Sequence, residues 1–341
     1  MNFLVVRTDR LGDTLLTLPL ITELKKFFPD SQIYFLCNQY TKPIVEKVKA
    51  IEDVILYDRY SSIDLVMMIR KYKIDTTIIA RPTFYNAFTI FMSKVPVRIG
   101  TAYRWYSFLF SHKVKHHRKH SIKHEALYNL DLLEPIGIKN HNDIFLLDFG
   151  LQLNDIVLER VKTKLVNLGI DISKPLIVLH VSSGGSAIDW KDINFRALAE
   201  KILTEIDCEI LLTGTKDKFS ELQKLFTDFP YKYWNLAGFF DLWELFHLFS
   251  IVQIYVGNST GTTHLAAISG CWIVSFYPKV KVMSQTRWGP ITEKRIIFEP
   301  KMNCSECTVT QCKKLNCMDS IEVKDVYYAI EKIINQFRNL K

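Results

Sequence analysis

The sequence has no apolar run that approaches the roughly 18 residues that a membrane-spanning helix needs. Its first residues lack the long apolar segment and the small-residue cleavage site of a signal peptide. Internal repeats and low-complexity segments are also missing. These absences argue against a membrane-spanning protein, a secreted protein and a repeat array. We therefore expect a cytoplasmic protein that begins at Met1.

The 341 residues exceed the usual size of one domain, and 48% of them are apolar, which is too rich for a disordered chain. The formal net charge is +8, and the stretch from Arg98 to His124 contains no acidic residue. Such a stretch is either a solvated loop or a site for something anionic. A phosphorylated glycolipid or an anionic membrane surface fits it. Nucleic acid would fit the charge as well, but no nucleic-acid-binding motif accompanies the stretch.

Short β-branched and aliphatic runs alternate with amphipathic helical stretches, a pattern typical of parallel sheets with crossover helices. The predicted strands are Asn2–Val6, Gln32–Cys37, Asp53–Leu56, Thr76–Ala80, Leu176–His180, Glu209–Thr213, Gln253–Val256 and Trp272–Phe276. The predicted helices include Thr14–Phe28, Ile63–Tyr72, Phe195–Glu205, Leu242–Phe249 and Thr263–Ile268. The chain thus predicts two α/β, Rossmann-like domains, at 1–155 and 170–320, whose sheets face each other across a cleft. A final helix within 321–341 would pack on either domain, and a helix at Asp155–Leu168 would belong to one of them.

The turn that follows the first predicted strand runs from Arg7 into a helix and contains Gly12 and Asp13. An aspartate at a helix N-terminus is explained by capping alone. However, this turn also lies at the carboxyl end of a strand, where α/β folds bind their ligands. Asp13 is therefore either a cap or a site residue.

Two later loops have the same strand–turn–helix setting. One contains Asn258, Ser259, Thr260, Gly261 and Thr262, followed by His264, and its helix start offers backbone N–H groups to a phosphate. The other contains Ser182, Ser183, Gly184 and Gly185 and suits a diphosphate, although it matches no Walker pattern. The alternative is that both loops are plain junctions with capping hydroxyls and a buried histidine.

Four of the seven cysteines, Cys304, Cys307, Cys312 and Cys317, fall close together. In a cytoplasmic protein such a cluster favours a structural zinc site, with reduced thiols or a disulfide pair as the alternatives. Cys37, Cys208 and Cys271 have the setting of ordinary buried thiols.

Taken together and in order, these segments resemble glycosyltransferase family 9, the lipopolysaccharide heptosyltransferases. The similarity covers nearly the whole chain. It is carried by the segments Arg7 with Leu11-Gly12-Asp13, Leu15, Thr17 and Pro19; His124-Glu125 with the leucine-rich segment to Gly137; Asn235 to Gly238; and Asn258 to Ala267. The resemblance implies a GT-B fold and an inverting transfer that needs no metal ion, from a nucleotide-diphosphate sugar, ADP-heptose above all, to a lipopolysaccharide core acceptor.

With these implied features, each group has an expected role. Asp13 would be the general base. The donor would be held by Ser182, Ser183, Gly184, Lys191, Asn258, Ser259, Thr260, Gly261, Thr262 and His264. The phosphates or acidic sugars of the acceptor would be held by Arg10, Lys115, Arg118 and Lys119, with the enzyme peripheral on the cytoplasmic face of the inner membrane.

Two departures from the family pattern concern the donor. Ile188 and Asp189 precede Trp190 where the family has a basic residue, so that Lys191 is the nearest cation. Ser259 stands where many members have aspartate. A different sugar from a UDP or GDP donor is therefore an alternative, and a basic, zinc-containing nucleic-acid-binding protein is a second one.

Overall fold

The computed structural model describes residues 1–139, 143–185, 187–302 and 307–338. The chain forms two compact units, Met1–Gln152 and Leu153–Lys341, which we call the first and second units. The helix at Asp155–Asn167 lies in the second unit. In the part of the chain that the structure describes, every helix falls short of the length and apolarity that a bilayer crossing requires.

The first unit is an α/β layer structure. Its strands are β1 (Asn2–Val6), β2 (Gln32–Cys37), β3 (Asp53–Leu56), β4 (Thr76–Ile79), β5 (Val97–Thr101) and β6 (His112–Val114). Its α-helices are α1 (Leu11–Leu15), α2 (Leu18–Phe27), α3 (Lys42–Val45), α4 (Ser62–Lys71), α5 (Phe84–Met92) and α6 (Glu125–Leu130). The strands form one sheet in the order β3-β2-β1-β4-β5-β6, with parallel pairing throughout.

The second unit repeats this arrangement. Its strands are β7 (Leu176–His180), β8 (Glu209–Leu212), β9 (Trp234–Asn235), β10 (Ile254–Asn258), β11 (Trp272–Phe276) and β12 (Arg295–Phe298). Its α-helices are α7 (Asp155–Asn167), α8 (Asp192–Glu205), α9 (Phe219–Leu225), α10 (Leu242–Ile251), α11 (Gly261–Ser269), α12 (Gln285–Trp288), α13 (Val309–Lys314) and α14 (Val323–Arg338). The sheet order β12-β11-β10-β7-β8-β9, again parallel, is that of the first unit read in the opposite direction.

Burial on both faces explains why the central strands are continuous apolar runs. Phe3 to Val6 on β1 are completely buried, as parallel sheets covered by helices require. In the second unit, Trp190 stacks on Phe276 with ring centroids 4.4 Å apart. The terminal helix α14 adds Val326, Ile330 and Ile333 to the same core. Its spacing of four and three residues places these side chains on one helix face.

One local expectation was wrong, and one of the two interpretations of the basic stretch was incomplete. The stretch Thr14–Phe28 is two helices, α1 and α2, because Pro19 lacks a backbone N–H and stands in the first turn of a new helix. The basic stretch is not simply a solvated loop, since β5 and β6 lie within or across it. β5 contains a charged residue, and β6 is only three residues long. Neither strand therefore has the apolar run that predicts a buried strand.

Candidate functional site

The strand order defines the functional edge of the first unit. From β1 the chain moves outward to β2 and β3, then returns to β4 and moves the other way to β6. Ligands of such sheets bind beyond the carboxyl ends of the strands, where the direction reverses. In this unit that point lies between β1 and β4. The turn that leads into α1 and Asp13 follows β1 directly.

Arg7 organises this turn. Its side chain is only 4% exposed, and its Nε donates a hydrogen bond to Asp9 Oδ1 at 2.7 Å. One Nη donates to the backbone oxygen of Ala80 just past β4, at 3.2 Å, and the other is paired with the Asp13 carboxylate. A buried guanidinium therefore joins the two strand ends at the reversal point and fixes the position of the carboxylate.

Capping does not account for Asp13. The N-cap of α1 is Arg10, and Asp13 is the third residue of the helix, with its carboxylate directed at Arg7. Burial raises the pKa of Asp13, and the negative charges of Asp9 and Glu125 add to this effect, while Arg7 opposes it. Asp13 is thus a fixed carboxylate, 19% exposed, that takes up a proton more readily than an ordinary aspartate.

A network behind Arg7 was missed from the sequence. The buried Glu125 has its Oε1 2.5 Å from Arg118 Nη1 and 3.7 Å from Arg7 Nη1. Asn129 Oδ1 accepts hydrogen bonds from the same two guanidinium groups, at 3.3 Å from Arg7 and 3.1 Å from Arg118. Its Nδ2 donates to the backbone oxygen of Leu16 at 2.9 Å. The sequence feature that could have indicated this network is the His124-Glu125 pair with the helix after it. It locates Glu125 and Asn129 but does not identify the residues that they bond to.

A pocket of about 180 Å³ lies at the carboxyl ends of β4, β5 and β6. Its lining includes Arg104, Arg118 and Lys119, with Tyr103 stacked on His117 at a centroid distance of 3.5 Å. Two of the four expected acceptor residues, Arg118 and Lys119, are thus brought together here, while Arg10 and Lys115 lie outside the lining. The positive charge of Arg118 is compensated by Glu125.

The second unit has its own reversal point, between β7 and β10. The completely buried Asn258 ends β10, and its Oδ1 accepts from Trp190 N at 2.8 Å. Its Nδ2 donates to the Val181 oxygen at 2.7 Å and to the Trp190 oxygen at 3.3 Å. Asn258 therefore braces the loop after β7, and its side chain is completely buried.

The start of α11 faces the same edge. Thr260 is the N-cap and forms a capping box with Thr263. Its Oγ1 is 2.7 Å from that of Thr262, which is 2.9 Å from the buried Tyr255 hydroxyl. These hydroxyls thus bond to each other, and the first-turn amides of Gly261 and Thr262 are what the helix start offers to an anion.

Two other expected donor residues are engaged within the protein. Ser259 hydrogen-bonds the hydroxyl of the buried Tyr277. His264 lies in the first turns of α11 and is 4% exposed, which suits a bracing role.

The loop after β7 has the backbone that its glycines allow. Gly184 and Gly185 have φ of +60° and +78°, a conformation that other residues rarely adopt. Ser183 N donates to Asp189 Oδ2 at 3.1 Å, and Gly184 N donates to Ser182 Oγ at 3.3 Å. Burial raises the pKa of Asp189. A carboxylate thus closes the loop where the family pattern has a cation.

Two basic side chains beside this loop, Lys191 and His180, are already paired or neutral. Lys191 Nζ is 2.5 Å from Asp319 Oδ2. His180 ends β7, bonds to Thr213 Oγ1 at 2.9 Å, and burial lowers its pKa to about 4, so it is uncharged at neutral pH. Neither side chain therefore adds an uncompensated positive charge to the loop, and the backbone amides at the start of α11 remain as a group that can bind an anion.

Three of the clustered cysteines are described, and Cys304 lies outside the described residues. Cys312 and Cys317 are buried and Cys307 is partly buried. Burial, together with the neighbouring Cys317 and Cys307, raises the pKa of the Cys312 thiol to about 12. The Cys312 thiol therefore lies close to those of Cys317 and Cys307.

Two parallel Rossmann-like units, each with polar loops at its reversal point, are the architecture of GT-B glycosyltransferases. The chain belongs to glycosyltransferase family 9 (heptosyltransferase), whose model matches residues 63–318. Both the family and the fold class expected from the sequence are confirmed. Family membership also replaces the nucleic-acid-binding alternative.

Individual relatives agree with this assignment. The chain is 28% identical over 314 residues to a putative glycosyltransferase of Haemophilus influenzae, covering 88% of this chain and 89% of the relative. It is 22% identical to lipooligosaccharide heptosyltransferase 2 of Campylobacter jejuni, with 97% and 95% covered. Its fold matches that of the E. coli ADP-heptose lipopolysaccharide heptosyltransferase II with a TM-score of 0.81 at 15% identity, over 99% and 100% of the two chains.

Proposed function

We propose that this glycosyltransferase moves a heptosyl group from ADP-heptose to a phosphorylated lipopolysaccharide-type acceptor, with inversion and without a catalytic metal ion. The observation that carries the proposal is the partly buried Asp13 carboxylate, fixed by Arg7 at the reversal point of the first unit. The relative from C. jejuni and the structural neighbour from E. coli, named for lipooligosaccharide and ADP-heptose, support this choice of substrates.

In the proposed reaction, Asp13 accepts the proton of an acceptor hydroxyl as its oxygen bonds to the anomeric carbon. The bond from that carbon to the diphosphate oxygen breaks, and ADP leaves with the electron pair. Negative charge grows on the diphosphate, and the first-turn amides of Gly261 and Thr262 on α11 stabilise it. Ser182, Ser183 and Gly184 contribute the loop after β7, at the same edge of the second sheet as the start of α11.

A thermal-shift panel tests the choice of donor. At about 100 times its dissociation constant, a ligand stabilises the folded state by about 2.7 kcal/mol. We expect that gain with ADP-heptose and with ADP, and a smaller one with UDP- and GDP-sugars at equal concentration. A larger gain with a uridine or guanosine donor would replace heptose with another sugar.

The pocket of the first unit is the proposed acceptor subsite, and Lys119 and Arg104 are the residues that test it. Replacing both by glutamine should raise KM for a phosphorylated acceptor roughly tenfold through the loss of phosphate contacts, and less at high salt, while donor affinity is unchanged. Lys113→Gln is the matched control, because this exposed lysine on β6 lies outside the lining. A fall in donor affinity alone would reassign the pocket.

Arg118 is excluded from that experiment. Its removal would leave the carboxylate of Glu125, which is 1% exposed, without its nearest counter-charge. An effect of Arg118→Gln on activity would therefore mix stability with binding.

We also propose that Cys307, Cys312 and Cys317, with Cys304, hold a structural zinc ion. Thiolate sulfur is a preferred ligand of zinc. Trp190 Nε1 donates a hydrogen bond to the Ile321 oxygen at 3.0 Å, which connects the segment after the cysteines to the loop after β7. Metal analysis of protein purified without chelators should find one zinc per chain. Its absence would leave thiols or a disulfide.

A further inference from the structure

A group of large aromatic side chains stands exposed on the first unit. Phe84, Phe88 and Phe91, each 44% exposed, follow one another along one face of α5. Trp105 and Phe108, in the connection between β5 and β6, are 74% and 67% exposed. These five residues form the aromatic face. Exposed clusters of large apolar side chains mark interaction surfaces more often than isolated ones do.

Direct ring contacts make part of this surface continuous. The ring of Phe84 stacks on Phe88 at 5.6 Å and on Trp105 at 5.1 Å between centroids. Tyr106, buried beneath them, contacts both Phe84 and Trp105. The exposed rings therefore stand on a packed base that holds them in place.

The chain segment that carries the aromatic face has charge of a single sign. From Asp75 to Glu125 the chain has no acidic residue between these two positions, and its cations include Lys94, Arg98 and Arg104. The Arg98 guanidinium lies 5.4 Å from the centroid of the Phe91 ring. A surface of aromatic rings on a chain segment whose charged residues are all cationic complements an interface that is apolar inside and negative outside.

We propose that the aromatic face docks the first unit on an anionic lipid bilayer. Aromatic rings settle at the level of the lipid headgroups, and lysine and arginine add attraction to anionic lipid. Trp105 directly follows Tyr103 and Arg104, which line the pocket, so that docking holds the pocket near the headgroups. The proposal rests on the proposed function in one respect, namely that the acceptor is a glycolipid.

Sedimentation with vesicles tests the docking. We expect the full chain to bind vesicles of phosphatidylethanolamine and phosphatidylglycerol, to bind phosphatidylcholine vesicles more weakly, and to lose affinity as salt is raised. The double variant Trp105→Ser with Phe108→Ser should bind the anionic vesicles at least about tenfold more weakly, because two aromatic side chains that the bilayer would bury are lost. These two side chains are the most exposed of the five, so the thermal midpoint should stay near that of the wild type.

Phe27→Ser is the matched control, because Phe27 is a 54% exposed aromatic residue at the end of α2, before the amino end of β2. This variant should bind vesicles like the wild type. Equal vesicle binding by the double variant, or none by the wild type, would overturn the proposal. A third outcome would also overturn it: the wild type forms a dimer and does not bind vesicles, and the double variant is monomeric. The aromatic face would then bind a second copy of the chain.

A soluble acceptor separates this proposal from the proposed function. The double variant should transfer sugar to a lipid-free oligosaccharide acceptor at the wild-type rate and lose transfer to the same acceptor embedded in vesicles. If the wild type fails with every form of the acceptor, the proposed function is wrong, whereas vesicle sedimentation alone decides the docking.

Discussion

The Asp13→Asn variant is expected to turn over its substrates roughly 10²–10⁴-fold more slowly than the wild type, with donor affinity little changed. Asparagine keeps the size of the side chain and an oxygen that can accept the hydrogen bond from Arg7. It cannot accept a proton from the acceptor hydroxyl. The loss corresponds to about 3–5 kcal/mol of activation free energy and should fall on kcat.

The pH dependence of the wild type gives a second readout. The base must be deprotonated, so activity is present above its pKa and is lost as the pH falls through it. Because burial raises the pKa of Asp13, the acidic limb of the kcat profile should lie above the range of an ordinary aspartate. The residual activity of the asparagine variant should lack that limb.

Asp9→Asn is the matched control for this prediction. Asp9 is the other carboxylate bonded to Arg7 in the same turn, with the same 19% exposure. A general loss of local order would affect both variants alike, whereas a loss of the base would affect Asp13→Asn far more. Near-normal transfer by a folded Asp13→Asn protein would remove Asp13 from the mechanism.

Replacing Asn258 by alanine should lower the free energy of unfolding by about 3 kcal/mol. The substitution strands the backbone groups of Val181 and Trp190 that the amide pairs, and each buried polar group left unpaired costs roughly 1–3 kcal/mol. For a unit of this size the thermal midpoint should fall by about 6–12 °C. Thermal unfolding followed by tryptophan fluorescence measures it.

The same variant distinguishes two roles for Asn258. If it braces the loop, ADP affinity should fall together with stability, since the loop that contains Ser182 and Ser183 is no longer held. If it stabilises the fold alone, the unfolding midpoint would fall while ADP affinity stayed unchanged. Asn235→Ala is the control, because this asparagine is only partly buried and pairs Phe219 and Ala237 in the same unit.

Much of the fold could be predicted from the sequence because buried parallel strands carry a strong local signal. The predicted bounds of β1, β2, β3, β7 and β11 are those observed. β5 was missed because it contains Arg98 and Gly100, and β6 because it is three residues long and begins His112-Lys113. Both strands are held by hydrogen bonds to a neighbouring strand, which stabilise an extended conformation that their composition alone does not favour. Sequence periodicity does not reveal this pairing.

The positions of the site loops were predictable, whereas the partners of the side chains were not. Strand ends locate Asp13, Ser183 and Gly261 at functional edges without any knowledge of contacts. That Asn258 braces the loop after β7, or that Glu125 neutralises Arg118, depends on which groups meet after folding. The sequence therefore does not distinguish a polar residue that contacts the ligand from one that holds the backbone that contacts it.

The placement of these contacts has a consequence for how such enzymes diversify. The bonds described around Asp13 join residues of the first unit, and those described around Asn258 join residues of the second. Substitutions far apart that share no partner have additive effects on stability. Under the proposed function, in which the acceptor binds the first unit and the nucleotide binds the second, selection could remodel one recognition site without disturbing the bonds that hold the other. We therefore expect the junction after Gln152 to tolerate the exchange of one unit for that of a relative.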